Sequence, residues 1–219
     1  MLSALLKAVN DLTSPELRAA LWKSIALSIA LFAALWFAIE FAISAITLIP
    51  WPWLITTLQV ATGLGLFAAF FFLMAPVTAI FAGLFQDSIA DQVEQRHYPS
   101  DRPGRSLSFT LGMVTALKFG VLSLAVNIVV LPLVLFAGFG VALILAANSY
   151  VISREYFEMT AARYMPLEQA RRLRRDNALR VWVSGIAPGL LAMIPFLNFA
   201  TPVFATSYFM HYFKSGQRS

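Results

Sequence analysis

The sequence predicts an all-α integral membrane protein: two long transmembrane helices, two re-entrant helical hairpins that penetrate only part of the bilayer, and amphipathic connecting helices. Three observations predict it. The first is composition: 59% of residues are hydrophobic and only 12% charged, against roughly half and a quarter in soluble domains, and the mean hydropathy is +0.75. The second is two long, nearly uncharged runs, 24–49 and 54–85, each long enough to cross a hydrocarbon core of about 30 Å. The third is two shorter apolar pairs, each broken by proline.

The shorter pairs carry most of the architecture. Around Pro195 the arms are Val181 to Ile194 and Phe196 to Met210. At about 1.5 Å per residue they reach only about 21–23 Å. Around Pro132 the arms are Phe119 to Leu131 and Leu133 to Ala147, preceded by Lys118. Neither turn, NIVVLP or IPFLNFATP, carries a charge, as a loop emerging into water would. Two hairpins that enter and return fit this pattern better than four full spans. A single span over 107–131 is the alternative, with Lys118 snorkelling or paired inside. Non-helical backbone at membrane depth requires burial in protein or a water-filled cavity. The expected organisation is one membrane domain, 1–219. It comprises a surface helix and first span (1–49), a second span with a cytoplasmic extension (53–97), a first hairpin (106–148), amphipathic and basic helices (149–180) and a second hairpin (181–213).

In order, Met1 to Leu12 is weakly amphipathic, with Leu2, Leu5, Leu6 and Val9 on one side, and is expected to lie on the membrane surface. The N-terminal stretch lacks a small-residue cleavage pattern, so the first apolar segment is expected to remain. Ser14-Pro15-Glu16 is a helix start: a capping hydroxyl, a proline suited to the first turn, and an acid at the positive helix end. Glu40 is an ionisable group within the first span, near a headgroup region or neutralised against a neighbour. Pro50-Trp51-Pro52-Trp53 closes that span. After the second span, Asp87, Asp91 and Glu94 fall on one helical face, and Phe85, Ile89 and Val93 form a separate apolar stripe. The acids are either a solvated helix end or an acidic face at a pore mouth, paired with arginines from elsewhere.

The segment Asn148 to Tyr164 is amphipathic, with Arg154 and Glu158 at i, i+4. In the basic helix that follows, Glu168–Arg172 and Asp176–Arg180 are i, i+4 pairs, and Arg171, Arg174 and Arg175 lack an obvious helical partner. All charge clusters fall on one side, the cytoplasmic one, if two helices span and both hairpins return. The net charge of +5 without aromatic interleaving or a fold motif does not indicate nucleic-acid binding.

Chemical motifs are absent from the sequence. It has no cysteine, hence no disulfide or thiolate metal site. It has no phosphate-binding glycine loop, no H-E-x-x-H and no G-x-S-x-G. His97 and His211 lack metal-ligand spacing, and His211 beside Tyr208, Tyr212 and Lys214 is expected at an interfacial helix end. No enzyme activity, cofactor or metal is expected. Arginines at the membrane boundary, a helix N-terminus and broken helices favour passage of an anion, which suits an oxyanion.

Three stretches carry a resemblance. They are NSYVISREYF with RRLRRDNALRVWVSG and MIPFLNFATPVFATSYF, then AGLFQDSIADQVEQR, then SPELRAALWKS. Together they resemble the CysZ sulfate permeases, grouped with the etoposide-induced protein family, over nearly the whole chain. The resemblance implies a bacterial inner-membrane, multi-pass sulfate channel or permease feeding cysteine biosynthesis, with two long transmembrane helices and hemi-penetrating hairpins. It implies a homo-oligomer, a hexamer. It places an anion site where the first span begins, at Leu17 and Arg18. The family's second arginine is Ala19 here, and Lys23 lies one turn further along. It places a polar pore network after the second span, at Gly83, Leu84, Asp87, Asp91, Glu94 and Arg96. The alternatives are a transporter of another oxyanion (sulfite or thiosulfate) or a non-transporting structural or regulatory membrane protein, which Ala19 favours.

Overall fold

The last long helix sits at the centre of the fold, buried without interruption from Thr201 to His211. The computed structural model describes residues 1–44, 51–106, 110, 114, 117–118, 121–122, 125, 128–129, 139–194 and 197–217. Among them the order is α1 (Leu2–Asp11), α2 (Pro15–Ser44), α3 (Pro52–Leu84), α4 (Gln86–His97), α5 (Phe139–Ala162), α6 (Leu167–Asp176), α7 (Ala178–Ser184), α8 (Ile186–Met193), a 3-10 turn (Leu197–Ala200) and α9 (Thr201–Gln217). No strand occurs among the described residues, so the chain is all-helical.

Ser14 caps α2 as expected: the Leu17 N–H donates to its Oγ at 3.4 Å. With 30 residues, α2 is about 45 Å long and apolar enough to cross a membrane. Only 6% of its most apolar window is buried inside the protein, whereas the core helix of a soluble protein would be mostly covered. Trp22, Ile29, Phe37 and Phe41 are exposed along it. The buried stripe is narrow, formed by Leu17, Ser24 and Ser28. Both serines return their hydroxyls to the carbonyl four residues back, at 2.9 and 2.8 Å, so they present small surfaces without leaving a polar group unpaired. Glu40 is partly exposed.

α3 continues as one helix through Pro76 and runs antiparallel to α2. Phe32 meets Phe70 edge-on at 5.2 Å, while Gly63 lies against Trp36. Phe85 separates α3 from α4.

Two apolar clusters flank α9. Val203 and Met210 pack with Leu17, Ile89, Ala90 and Val93. Phe204, Ala205, Tyr208, Phe209 and Phe213 pack with Ala4 and Ala8 of α1, Tyr156, Phe157 and Ala161 of α5, Ala170 and Val181. The Ile89–Val93 stripe read from the sequence is therefore a packed face. In α1 the buried face is Ala4, Ala8 and Asp11. Leu2, Leu6 and Val9 point away from the protein and are exposed.

α7 and α8 follow one another through Gly185 and end at Met193. Together with α9 they form the two arms of a helical turn. α8 ends at Met193 and the 3-10 turn begins at Leu197; Pro195 and Phe196, where the break was expected, lie outside the described residues. Most of the first expected hairpin, 106–148, also lies outside them; Phe139 onward belongs to α5.

Candidate functional site

The acidic face of α4 does not stand free. Asp87, Asp91 and Glu94, one or two turns apart, converge on Arg163 just past α5. Its Nη1 donates to Asp87 and its Nη2 to Asp91, and its Nε lies 3.5 Å from Glu94 Oε1. The guanidinium side chain is 3% exposed, the three carboxylates 32%, 42% and 8%. A buried cation needs partners of this kind. Burial works against the Arg163 charge, but the bond to Asp91 and the fields of Glu94, Asp91 and Asp87 outweigh it and raise its pKa.

The same acids hold the following loop. Gly104 N–H donates to Glu94 Oε2 at 3.0 Å, and Arg105 N–H donates to the Arg163 carbonyl at 2.8 Å. A Cβ at Gly104 would stand 2.8 Å from Glu94 Oε1 and 3.0 Å from Arg163 Cβ, so the loop passes where only a glycine fits. Tyr164 donates its hydroxyl to Glu94; burial first, then that bond, raises its pKa.

Beside this loop opens a cleft of about 700 Å³ bordered by Asp101, Arg102, Arg105, Arg163, Lys214 and Gln217. Lys214 is 3% exposed, lies 3.4 Å from Asp101 and sits over the Tyr164 ring at 4.4 Å. The cleft's lining holds four basic side chains and one acid: Arg163 is turned to the carboxylates of α4, Lys214 to Asp101, and Arg102 and Arg105 are exposed.

The other residues expected from the sequence lie around the start of α2. Leu17 is buried in the core, and its N–H is turned to Ser14. Arg18 and Lys23 are exposed. Lys23 is four residues beyond Ala19, on the same helical face. Arg96 stands apart from the Arg163 cluster: its Nη1 is 4.0 Å from Asp11 Oδ1. Gly83 and Leu84 close α3 next to Asp87; their side chains lie outside the described set.

Two readings from the sequence need correction. His211 is not an interfacial end. It is 1% exposed, because α9 is enclosed on every side over Thr201 to His211. The basic helix is also more paired than its own sequence allows. Arg174 donates to Glu158 of α5, Arg171 lies 3.6 Å from that same carboxylate and 3.0 Å from Glu168. The partner of Glu158 is thus across the helix interface.

Sequence reasoning missed a second polar cluster. Asp11, 1% exposed, takes His97 Nε2 at 2.7 Å on Oδ1, and His211 Nε2 at 2.9 Å and Ser207 Oγ at 2.7 Å on Oδ2. Tyr98 Oη is 2.8 Å from His211 Nδ1. Burial alone would raise the Asp11 pKa, but the bonds from His211, Ser207 and His97 bring it down to about 2. Burial lowers that of His211. The sequence signal was Ser207 and His211 at i, i+4 inside an otherwise apolar helix.

The geometry thus gives a charged, helix-built cluster beside a membrane-length helix, with a cleft lined mainly by basic side chains. Among curated proteins nothing matches the chain. A family model does match, over residues 4–202, from α1 to the first turn of α9. The chain belongs to the sulfate transporter CysZ/etoposide-induced protein 2.4 family.

Proposed function

We propose that this protein is a sulfate permease or channel of a bacterial inner membrane, supplying sulfur for cysteine synthesis. Family membership supports anion transport and argues against enzymatic chemistry. The observation that carries the reading is the distribution of charge. Arg163 offsets one of the three acid charges after α3, and the cleft itself is bordered by four basic side chains, Arg102, Arg105, Arg163 and Lys214, against one acid, Asp101. A cleft lined mainly by cations attracts an anion, and Arg163 lessens the repulsion from the acids behind it.

In this reading α2 and α3 both span. The arms α7–α8 and α9, together with a corresponding hairpin around Pro132, enter and return. Arg18 attracts the anion where the first span begins, and Lys23 supplies the charge that Ala19 lacks. Asp87, Asp91, Glu94 and Arg96, beyond Gly83 and Leu84, shape and gate the path. The chains assemble as a homo-oligomer, a hexamer, around it.

Radiolabelled sulfate uptake into proteoliposomes tests this. The full chain should give flux above that of empty vesicles. Arg18→Ala should lower it about tenfold at low sulfate, as expected for losing one charge-assisted hydrogen bond. Ala19→Arg should raise it. No flux above empty vesicles would reject transport, and an unchanged rate in Arg18→Ala would reject that site. Competition by sulfite or thiosulfate stronger than by sulfate itself would reassign the substrate.

A further inference from the structure

We propose that Asp11, His97 and His211 form a three-ligand site for a transition-metal cation of the zinc class, with water completing the coordination. The three residues come from the ends of α1 and α4 and from the middle of α9, and their ligand atoms all lie within 4.8 Å of one another. Both imidazoles turn Nε2 to the same carboxylate, one to each oxygen, at 2.7 and 2.9 Å. The two rings meet edge-on, with centroids 4.7 Å apart at 82°. That arrangement brings both nitrogens to one carboxylate, one on each oxygen, instead of stacking the rings.

Metal–donor bonds near 2.0–2.2 Å in a tetrahedron place donors about 3.3 Å apart. The two His–Asp contacts therefore need to open by about half an ångström, and ligand atoms that lie up to 4.8 Å apart need to close by up to about 1.5 Å. Two imidazoles and one carboxylate are a common donor set for such an ion. An ion takes the Nε2 lone pairs, so the imidazole proton resides on Nδ1. Tyr98 Oη, 2.8 Å from His211 Nδ1, accepts that proton and fixes the ring, and Ser207 orients Asp11 from the other side. Such outer partners are characteristic of built metal sites.

A cleft reaches the carboxylate side of the cluster. A cleft of about 460 Å³ between the start of α2 and α4 is bordered by Asp11, Ser14, Glu16, Gln92, Gln95 and Arg96. The buried Gln92 Oε1 on that cleft has no hydrogen-bond partner. The opposing feature is Arg96, 4.0 Å from Asp11 and 48% exposed. It competes with a cation for the carboxylate and can swing to water. A purely structural Asp–His cluster and a metal site therefore differ in how Arg96 matters.

The test uses the full-length chain in detergent, with any tag removed and after chelator treatment. The absence of cysteine leaves no thiolate to compete. Titration with Co²⁺ should develop a tetrahedral visible spectrum at one ion per chain, which Zn²⁺ then abolishes. His97→Gln and His211→Gln should each weaken Zn²⁺ binding at least about tenfold, and Tyr98→Phe about tenfold. Arg96→Gln should tighten it several-fold. Circular dichroism and elution volume establish that each variant is folded. If His211→Gln does not fold, His97→Gln and Arg96→Gln decide the matter. Sub-stoichiometric binding to the wild-type chain, or affinity unchanged in His97→Gln, overturns the proposal. So does unchanged or weaker binding in Arg96→Gln.

Discussion

Replacing Arg163 with methionine should destabilise the folded chain by about 3 kcal/mol, near the lower end of what removing one partner of a buried ion pair costs. The residue is 3% exposed and serves three carboxylates at once. Methionine fills similar space, so the loss is mainly electrostatic. The lower end applies because Asp87 and Asp91 keep 32% and 42% of their side chains in solvent and can rehydrate. Glu94 cannot, being 8% exposed, and it would stay buried with only Tyr164 and the Gly104 N–H as partners. Lysine is no substitute, since a point charge cannot bridge acids along two turns of α4 as a planar guanidinium does. Arg163→Lys should fall between wild type and Arg163→Met. For a chain of this size, thermal unfolding in detergent should move down by roughly 6–12 °C for Arg163→Met. Adding Glu94→Gln to Arg163→Met should restore part of the loss. An Arg163→Met midpoint within a degree of wild type would show that the acids do not depend on this cation.

That cluster shows what could be read from the residues and what could not. The spacing of Asp87, Asp91 and Glu94 places them on one face by helical period alone, and the apolar stripe beside them is packed as its pattern implies. The acids' need for a guanidinium follows from elementary electrostatics. Which guanidinium does not, because Arg163 lies 76 residues from Asp87 and 72 from Asp91, brought there by tertiary packing. The Asp11 cluster was harder still. His97 is 86 residues from Asp11 and His211 is 200, whereas metal-ligand motifs are recognisable only when the spacing is local. Hydropathy, by contrast, is a local property. The membrane-length α2 and its Ser14 start were therefore legible before any tertiary contact was known.

A glycine on the first of those arms carries the second large effect. Gly185 has ordinary right-handed helical angles, φ −73° and ψ −10°, so any residue could adopt its backbone. What requires glycine there is space: an added Cβ would stand 2.2 Å from the Ser149 carbonyl oxygen and 2.8 Å from Ser153 Cβ. Gly189, four residues on, faces Ser149 again, with the nearest atom its Oγ at 2.6 Å. The two glycines make a small-xxx-small face that lets α7–α8 pack with backbone contact on α5, which is how helices associate where no hydrophobic force separates protein from lipid. Trp182 fastens the same contact by donating Nε1–H to the Ala146 carbonyl at 3.0 Å. Gly185→Ala must push apart two backbones, while Gly189→Ala first displaces a hydroxyl that can rotate. The first should cost about 3 kcal/mol, the upper part of the usual range for overpacking, and the second about 1 kcal/mol. Gly185→Leu should leave little folded protein, because the arm would be levered off α5 and α9 would lose a wall. Purification yield, elution profile and thermal midpoint of the three variants measure this directly. A Gly185→Leu protein that folds and elutes like wild type would mean that α7–α8 does not rest on α5.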